Sequence, residues 1–442
     1  MFDYQRRFGD KFQFWFGSHR CLVFCQMEHA QTIFSDRDTF ERAPLALPNF
    51  DLLCPNGLML LTGAKWKRHI RVLLPMLKRA KIISHLETIV ECADRIIDQN
   101  LHPSQVHRDL ITCCQSFTMN VIGFIGFDHD FDIHVNSPIK EAFQDFLFNA
   151  TLLMMTPWVP RWLWKIYLKF NWKYQRAYRL IHELTEKLVE EEQNKQIDIE
   201  NERPKNLIAS LVSSLNEQVN DEHASSGITR AEMFDEVLMM ILAGYETTSA
   251  ALSWFIFFAS KNPQVQQRMK DELREHHLLM TNDLTGVLPL TLDNLSSLTY
   301  CECVTKEVLR LAPVAGLTTR IATRDTMIDN AKIHRGQTVF IAIHNINTDT
   351  RYWHHADPQQ FAPERFLAED QNYPQFAMIP FGGGHRACIG QELAWLELKT
   401  IIVRMMQRGI TFEDTPENTG DYDERITCFP KNLVVRVRFD ES

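Results

Sequence analysis

The segment Phe381-Gly382-Gly383-Gly384-His385-Arg386-Ala387-Cys388-Ile389-Gly390 gathers the residue types that can hold a metal-bearing ring. Cys388 stands two residues after an arginine, at the end of a glycine-rich turn and the start of an amphipathic helix. Glycines let a backbone press close to a flat ring and can direct N–H groups at the sulfur, which keeps it ionised. Arg386 can meet a porphyrin propionate with a charge-assisted hydrogen bond. The N-terminus of the following helix adds positive potential beside the thiolate. A thiolate axial ligand pushes electron density onto iron and favours O–O cleavage. Taken alone, the same turn also reads as a glycine-rich loop around a buried free cysteine.

Two other groups carry chemistry. In Ala243-Gly244-Tyr245-Glu246-Thr247-Thr248 an acid stands next to an alcohol inside an apolar stretch, a pairing suited to a proton relay. Gly244 leaves room for something large against the backbone, and the threonines can bond to carbonyls one turn back and open the helix. The alternative is that Glu246 pairs with a neighbouring base while the threonines pack. Glu307-Val308-Leu309-Arg310 puts opposite charges at i and i+3, and Arg365 follows in Pro363-Glu364-Arg365-Phe366. On a surface such a pair contributes little. A buried Glu flanked by two arginines would be a locking network, costly to break.

The elements that position these groups are mostly helices. Apolar periodicity predicts them over Trp66–Leu77, Ile82–Asn100, Ile111–Ile125, Pro138–Met155, Lys173–Lys195 and Asn206–Leu215. Arg230–Ser260, Pro263–Leu279, Thr299–Leu311 and Gly390–Arg408 follow. Thr229 with Glu232 forms a capping box at the head of Arg230–Ser260. About thirty residues at 1.5 Å each would span roughly 45 Å, the width of the molecule. Strand signals are few: Phe12–Phe16 and Cys21–Phe24 about a turn at Gly17-Ser18, a stretch with a turn at His334-Arg335-Gly336, and Leu433–Phe439. Glu413–Glu424 reads as an acidic solvated loop. The fold class is mainly α with a minor β region, and no linker divides residues 1–442.

Bulk properties narrow the function. The 442 residues are 45% hydrophobic with net charge −9, which argues against nucleic acid as a partner. Ten irregularly spaced cysteines without a preceding leader point to a reducing compartment, and none has a zinc-site spacing. Val237–Ala259 is apolar enough for a membrane span, but Glu246 at its centre marks it as a buried core helix.

In this order, the acid–alcohol helix, the Glu-x-x-Arg helix, the Pro-Glu-Arg-Phe loop and the cysteine turn resemble the cytochrome P450 family of haem-thiolate monooxygenases. The turn fits the family's Phe-x-x-Gly-x-Arg-x-Cys-x-Gly pattern at every fixed position. Ala243–Ser249 is most similar to animal microsomal members that oxidise steroids, fatty acids and xenobiotics. The resemblance implies that haem b lies between the central helix and the cysteine loop, with Cys388 as the iron ligand. It implies that Phe381, Gly382, Gly390, Ala243 and Gly244 line the ring, and that Arg386, Arg320 and Trp66 hold its propionates. Glu246 and Thr247 would deliver protons to bound dioxygen, and Glu307, Arg310 and Arg365 would stabilise the fold beneath the ring.

One departure concerns Trp66: the family places an arginine four residues later, where this chain has Ile70. Arg71, Arg68 or His69 is expected to compensate. Another is the start, where the membrane anchor of microsomal members is missing, so the chain reads as truncated or as a form without its anchor. The resemblance implies the cytosolic face of the endoplasmic reticulum membrane, and a chain as written that is cytoplasmic. Met154–Trp164 is broken by prolines and rich in tryptophan, suited either to a membrane interface or to packing on the core.

The pocket is expected from Leu45–Met59, Phe146–Met155, Val314–Leu317 and Thr427-Cys428-Phe429, which suits a lipophilic substrate. Electrons must come from outside, since no dinucleotide-binding Gly-x-Gly-x-x-Gly unit is present. An NADPH-dependent reductase, with cytochrome b5 as a further donor, would dock on Lys78, Arg79, Lys81, Arg404 and Arg408. Two other readings stay open: a reductase-independent haem-thiolate isomerase or dehydratase, and a non-catalytic haem-binding protein.

Overall fold

The computed structural model describes residues 2–16, 19–43, 49–131, 137–197, 205–220, 227–280 and 288–440. In chain order the helices are α1 Phe2–Phe8, α2 Met27–Ser35, α3 Gly63–Leu73, α4 Arg79–Ile82, α5 Leu86–Asn100, α6 Leu110–Phe127, α7 Pro138–Met155 and α8 Arg161–Phe170. They continue with α9 Trp172–Ile197, α10 Leu207–Asn220, α11 Arg230–Lys261, α12 Pro263–Glu275, α13 Leu292–Ser297, α14 Thr299–Leu311, α15 Ile343–Asn347 and α16 Gln391–Gln407. The strands are β1 Lys11–Phe16, β2 His19–Phe24, β3 Phe40–Arg42, β4 Val106–His107, β5 Thr318–Ala322 and β6 Thr326–Ile328. The last six are β7 Ala331–Ile333, β8 Thr338–Ile341, β9 Ile410–Glu413, β10 Tyr422–Glu424, β11 Cys428–Pro430 and β12 Val435–Phe439.

The central helix begins where its cap chemistry predicts. The Glu232 N–H donates to Thr229 Oγ1 at 3.2 Å, and the Thr229 N–H donates to Glu232 Oε2 at 2.9 Å. It runs 32 residues and stops at Lys261, because Asn262 leaves helical geometry and Pro263 opens the next helix. α6 packs along it, with α16, α14 and α9 as further neighbours. Gly244 explains one close approach. A Cβ there would lie 2.9 Å from Ile122 Cγ1 on α6. The room its missing side chain leaves is filled on that side by a neighbouring helix.

The main sheet has the order β1-β2-β8-β5-β3, with β2 and β8 parallel and the other pairs antiparallel. The β1–β2 hairpin is present, while its Gly17-Ser18 turn lies outside the described residues. The antiparallel β3–β5 pair sets Arg42 opposite Arg320. Two ends of the stretch read as an acidic loop are strands, β9 and β10. Five short helices (α1, α2, α8, α13 and α15) go beyond the sequence reading. α8 starts directly after Pro160, inside a stretch read as broken by prolines; Trp164 and Leu168 are buried, while Trp162, Leu163, Ile166 and Phe170 remain exposed.

Glu307 is fully buried and joins the elements beneath the cysteine turn. Arg310 donates to both its oxygens, at 2.7 and 2.8 Å, and Arg365 Nε donates to Oε1 at 3.0 Å. The remaining guanidinium donors reach the Asn347 and Pro358 carbonyls and Asp370, and both cations lie over the Trp353 ring. Every charge is paired and hydrogen-bonded, the condition for tolerating ions in an apolar interior.

The Gly244 contact makes a stability prediction. Overpacking costs about 1–3 kcal/mol, against about 1 kcal/mol gained when alanine replaces a helical glycine. Gly244→Ala should therefore lower the denaturation midpoint. Adding Ile122→Ala should cost less than the two single changes summed. Strict additivity in the double-mutant cycle would mean the two side chains do not compete for that space.

Candidate active site

Cys388 is the one cysteine of the ten that is exposed, yet it sits deep in the fold, and burial raises its thiol above the usual range. The Gly390 backbone N–H opposes that rise, as one would want beside a thiolate. Two glycines of the turn, Gly383 and Gly384, make room for Phe34. Gly384 has φ +70°, and a Cβ there would meet the Phe34 carbonyl oxygen at 2.3 Å. A Cβ on Gly383 would strike the Phe34 ring. α2 thus seats the turn, while Phe381, Gly382, Ile389 and Gly390 keep accessible surface.

On the central helix, accessible surface remains at Ala243, Gly244 and Thr247 although the helix is otherwise buried along most of its length. Thr247 Oγ1 donates to the Ala243 carbonyl at 2.9 Å, one turn back. Glu246 turns away from bulk water. Thr427 Oγ1 donates to its Oε1 at 3.0 Å, and Gln115 Nε2 to its Oε2 at 3.4 Å. These partners are neutral, and no base among the described residues pairs with it. Burial raises its pKa despite both bonds, favouring the protonated acid. Thr427 is thus a contact of the acid as well as part of the expected pocket, a link between distant segments that no spacing reveals.

Arginines crowd the other side of the Cys388 turn. Arg386 Nε donates to Glu41 Oε1 at 2.8 Å and Nη1 to the Leu61 carbonyl at 3.0 Å, with the guanidinium 4.0 Å from the Trp66 ring centroid. Its Nη2 lies 2.6 Å from Glu41 without hydrogen-bond geometry. Arg320 donates to the Gly383 carbonyl at 3.1 Å. Burial, then Arg42 and Arg386, push Arg320 well down. Burial, then Arg386, do the same to Arg42. Of the three guanidinium groups only that of Arg386 pairs with a carboxylate, Glu41. Burial raises that carboxyl, but the Arg42 N–H and Arg386 outweigh it. Arg42 was missed by sequence reasoning, since a three-residue strand carries no motif.

Arg386 Nη2 and Arg42 Nε are buried with no hydrogen-bond partner among the described residues. A cation-rich cluster with unused donors, beside an accessible thiol, fits a dianionic porphyrin.

Near Ile70 the three candidate side chains take different positions. Arg71 is exposed, and Arg68 pairs with Glu232. His69 is buried against Glu236, Nδ1 to Oε1 at 2.5 Å, tying α3 to α11. Trp66 is partly buried under Arg386. Among the expected docking residues Lys78 and Arg79 are exposed and Lys81 is half-buried. Arg404 is a correction: it is fully buried and bonded to Asp94 through Nε and Nη2, each at 2.7 Å. Arg408 is half-buried and paired with Asp94 and Asp98.

Phe146, Thr427 and Phe429 are buried, while Val314 keeps partial exposure. Residues 44–48 of the expected roof lie outside the described residues. One helix among the described residues, Leu110–Phe127, is long and apolar enough to cross a membrane, and 83% of it is buried.

A family profile described as Cytochrome P450 matches residues 1–431. Over 362 residues the chain is 26% identical to cytochrome P450 4V2 of Pongo abelii, covering 78% of this chain and 66% of that protein. It is 36% identical over 212 residues to cytochrome P450 132 of Mycobacterium tuberculosis, covering 48% and 44%. Protein LUTEIN DEFICIENT 5, chloroplastic, of Arabidopsis thaliana is 24% identical over 428 residues, covering 92% and 68%. The chain thus spans less than half of the mycobacterial relative and just under two thirds of the primate one. With the profile matching nearly the whole sequence and a mostly helical fold, the chain belongs to the cytochrome P450 family, whose cofactor is haem b bound through a cysteine thiolate.

Proposed function

We propose that residues 1–442 form one catalytic unit, a haem-thiolate monooxygenase that inserts one oxygen atom of O2 into a lipophilic small molecule. The observation that carries this reading is the accessible Cys388 thiol set beside an arginine cluster short of negative charge. Haem b held by a Cys388 thiolate would supply the electron-rich iron that activates dioxygen. Arg42, Arg320 and Arg386 would hold the propionates, with Trp66 stacked beneath Arg386. Phe381, Gly382, Gly390, Ala243 and Gly244 are the residues proposed to line the ring. Glu307, Arg310 and Arg365 keep the turn in place from below.

The proton path runs through this chain's own atoms. The Glu246 carboxyl, its pKa raised by burial, accepts from the Thr427 hydroxyl and the Gln115 amide and is the proposed proton donor. Thr247, exposed on the same turn of α11, is the hydroxyl that passes the proton on. An intact acid–alcohol pair favours oxygen insertion over a rearrangement that needs no proton delivery. The walls at Phe146, Val314 and Phe429 suit an apolar substrate of fatty acid, steroid or xenobiotic type.

Electrons would come from an NADPH-dependent reductase, or cytochrome b5, docking near the exposed Lys78 and Arg79. Trp158, Trp162, Ile166, Phe170 and Trp172 are exposed around α8, with Lys165 and Lys169 beside them, which supports contact with a membrane surface such as the endoplasmic reticulum.

With reductase and NADPH, a panel of lipophilic compounds should yield an oxygenated product. Thr247→Ala and Glu246→Gln should cut product formation about 100-fold, with NADPH consumption diverted to hydrogen peroxide. Because the Glu246 pKa is raised, the wild-type rate should fall as pH rises through it, and Glu246→Gln should lose that limb. NADPH oxidation with no product from any compound, or unchanged coupling in both variants, would contradict the reading.

Haem retention tests the arginine cluster separately. A hydrogen bond to a charged group contributes about 1.5–3 kcal/mol. Arg42→Ala should therefore speed haem transfer to apomyoglobin about tenfold or more, while Arg71→Ala should leave it unchanged.

A further inference from the structure

A cavity of about 660 Å³ lies away from Cys388, between α9, the start of α11 and the loop at Leu52–Asn56. Its lining shares no residue with the Cys388 turn or with Ala243–Thr248. The volume falls within the range of small-molecule sites. Tyr174 and Tyr178 stand one helical turn apart on α9, ring centroids 6.1 Å apart, and both face this space. Phe234 of α11 meets Tyr178 at 5.7 Å and His182 at 4.7 Å. The walls are therefore aromatic on two helices.

The floor is a carboxylate. Asp235 is only 5% exposed, and its Oδ2 accepts from the Asn56 N–H at 2.8 Å and from Asn56 Nδ2 at 2.9 Å. Both donors are neutral, and among the described residues Asp235 makes no ion pair. Burial raises its pKa against those bonds, with Glu232 adding to the rise. The nearest lining guanidinium, Arg230, is taken by Glu186. A buried carboxylate without a counter-cation is costly, and a cation entering the cavity would remove that cost. π faces attract the same kind of guest. A divalent metal ion is less suited, since Asp235 is half occupied by Asn56, Glu186 is paired with Arg230, and aromatic rings offer no further oxygen ligands of the needed kind.

We propose that this cavity is a second ligand site for a lipophilic protonated or quaternary amine, with Asp235 as counter-ion and Tyr174, Tyr178 and Phe234 as walls. Its loop Leu52–Asn56 falls within the expected pocket roof Leu45–Met59, yet the site shares no residue with the Cys388 turn and is tested separately from the haem chemistry.

Calorimetric titration of the haem-loaded protein with 4-phenylbutyltrimethylammonium and with 4-phenylbutanol tests it. A quaternary ammonium cannot coordinate iron, so saturating imidazole can occupy the iron throughout. The cation should bind at least tenfold more tightly than the alcohol, with or without imidazole. Asp235→Asn should abolish that preference, and Tyr178→Leu, which leaves the carboxylate in place, should weaken the cation several-fold. Equal binding of the two probes, displacement by imidazole, or full cation affinity in both variants would overturn the proposal. Should Asp235→Asn fail to fold, Tyr178→Leu and the probe pair still decide.

Discussion

Positive charge is held in surplus where β3, β5 and the Cys388 turn meet, and much of the site follows from that imbalance. Of Arg42, Arg320 and Arg386 only Arg386 pairs with a carboxylate, Glu41, and burial works against all three cations. Guanidinium groups do not shed their protons in proteins, so an anionic ligand would offset the cluster's cost. The rest of the fold keeps these residues from escaping to water. The β3–β5 register fixes Arg42 opposite Arg320, and the Gly383 carbonyl binds Arg320 to the turn itself. Phe34 presses on the two glycines that shape that turn.

The same logic of burial, with opposite sign, sets the acid on the central helix. Around Cys388 the interior is short of negative charge, whereas at Glu246 it disfavours negative charge altogether. An acid whose pKa burial raises, with hydroxyl and amide neighbours, suits the proposed role of proton donor. An acid beside an arginine, such as Glu307 with Arg310 and Arg365, is a fastening. Both carboxylates sit in apolar helices, and only their partners separate the two roles.

That distinction also marks what was legible in the sequence. Helices with strong caps and clear periods were readable, α11 with its Thr229 box and α14 nearly to the residue. The Cys388 turn was readable because its residues are adjacent. Arg42 was not, because its meaning comes from pairing with a strand 278 positions further on. Thr427 reaches Glu246 across a similar gap. Spacing identified the glycines in both segments but not the close contacts that Gly244 permits with Ile122 and that Gly383 and Gly384 permit with Phe34. Arg404 looked like surface charge, since only the fold reveals that Asp94 buries it. α8 escaped notice because it starts inside a stretch that Pro157 and Pro160 made read as broken.

The central claim is that Cys388 holds haem iron as a thiolate within this charge-imbalanced cradle. The most direct test is the reduced, CO-bound difference spectrum of the haem-loaded chain beside that of Cys388→Ser. A strongly red-shifted Soret band in the former, moved to the position of neutral proximal ligation in the latter, is the predicted result. A wild-type band already at the neutral-ligand position, or one that the substitution leaves unchanged, would contradict it.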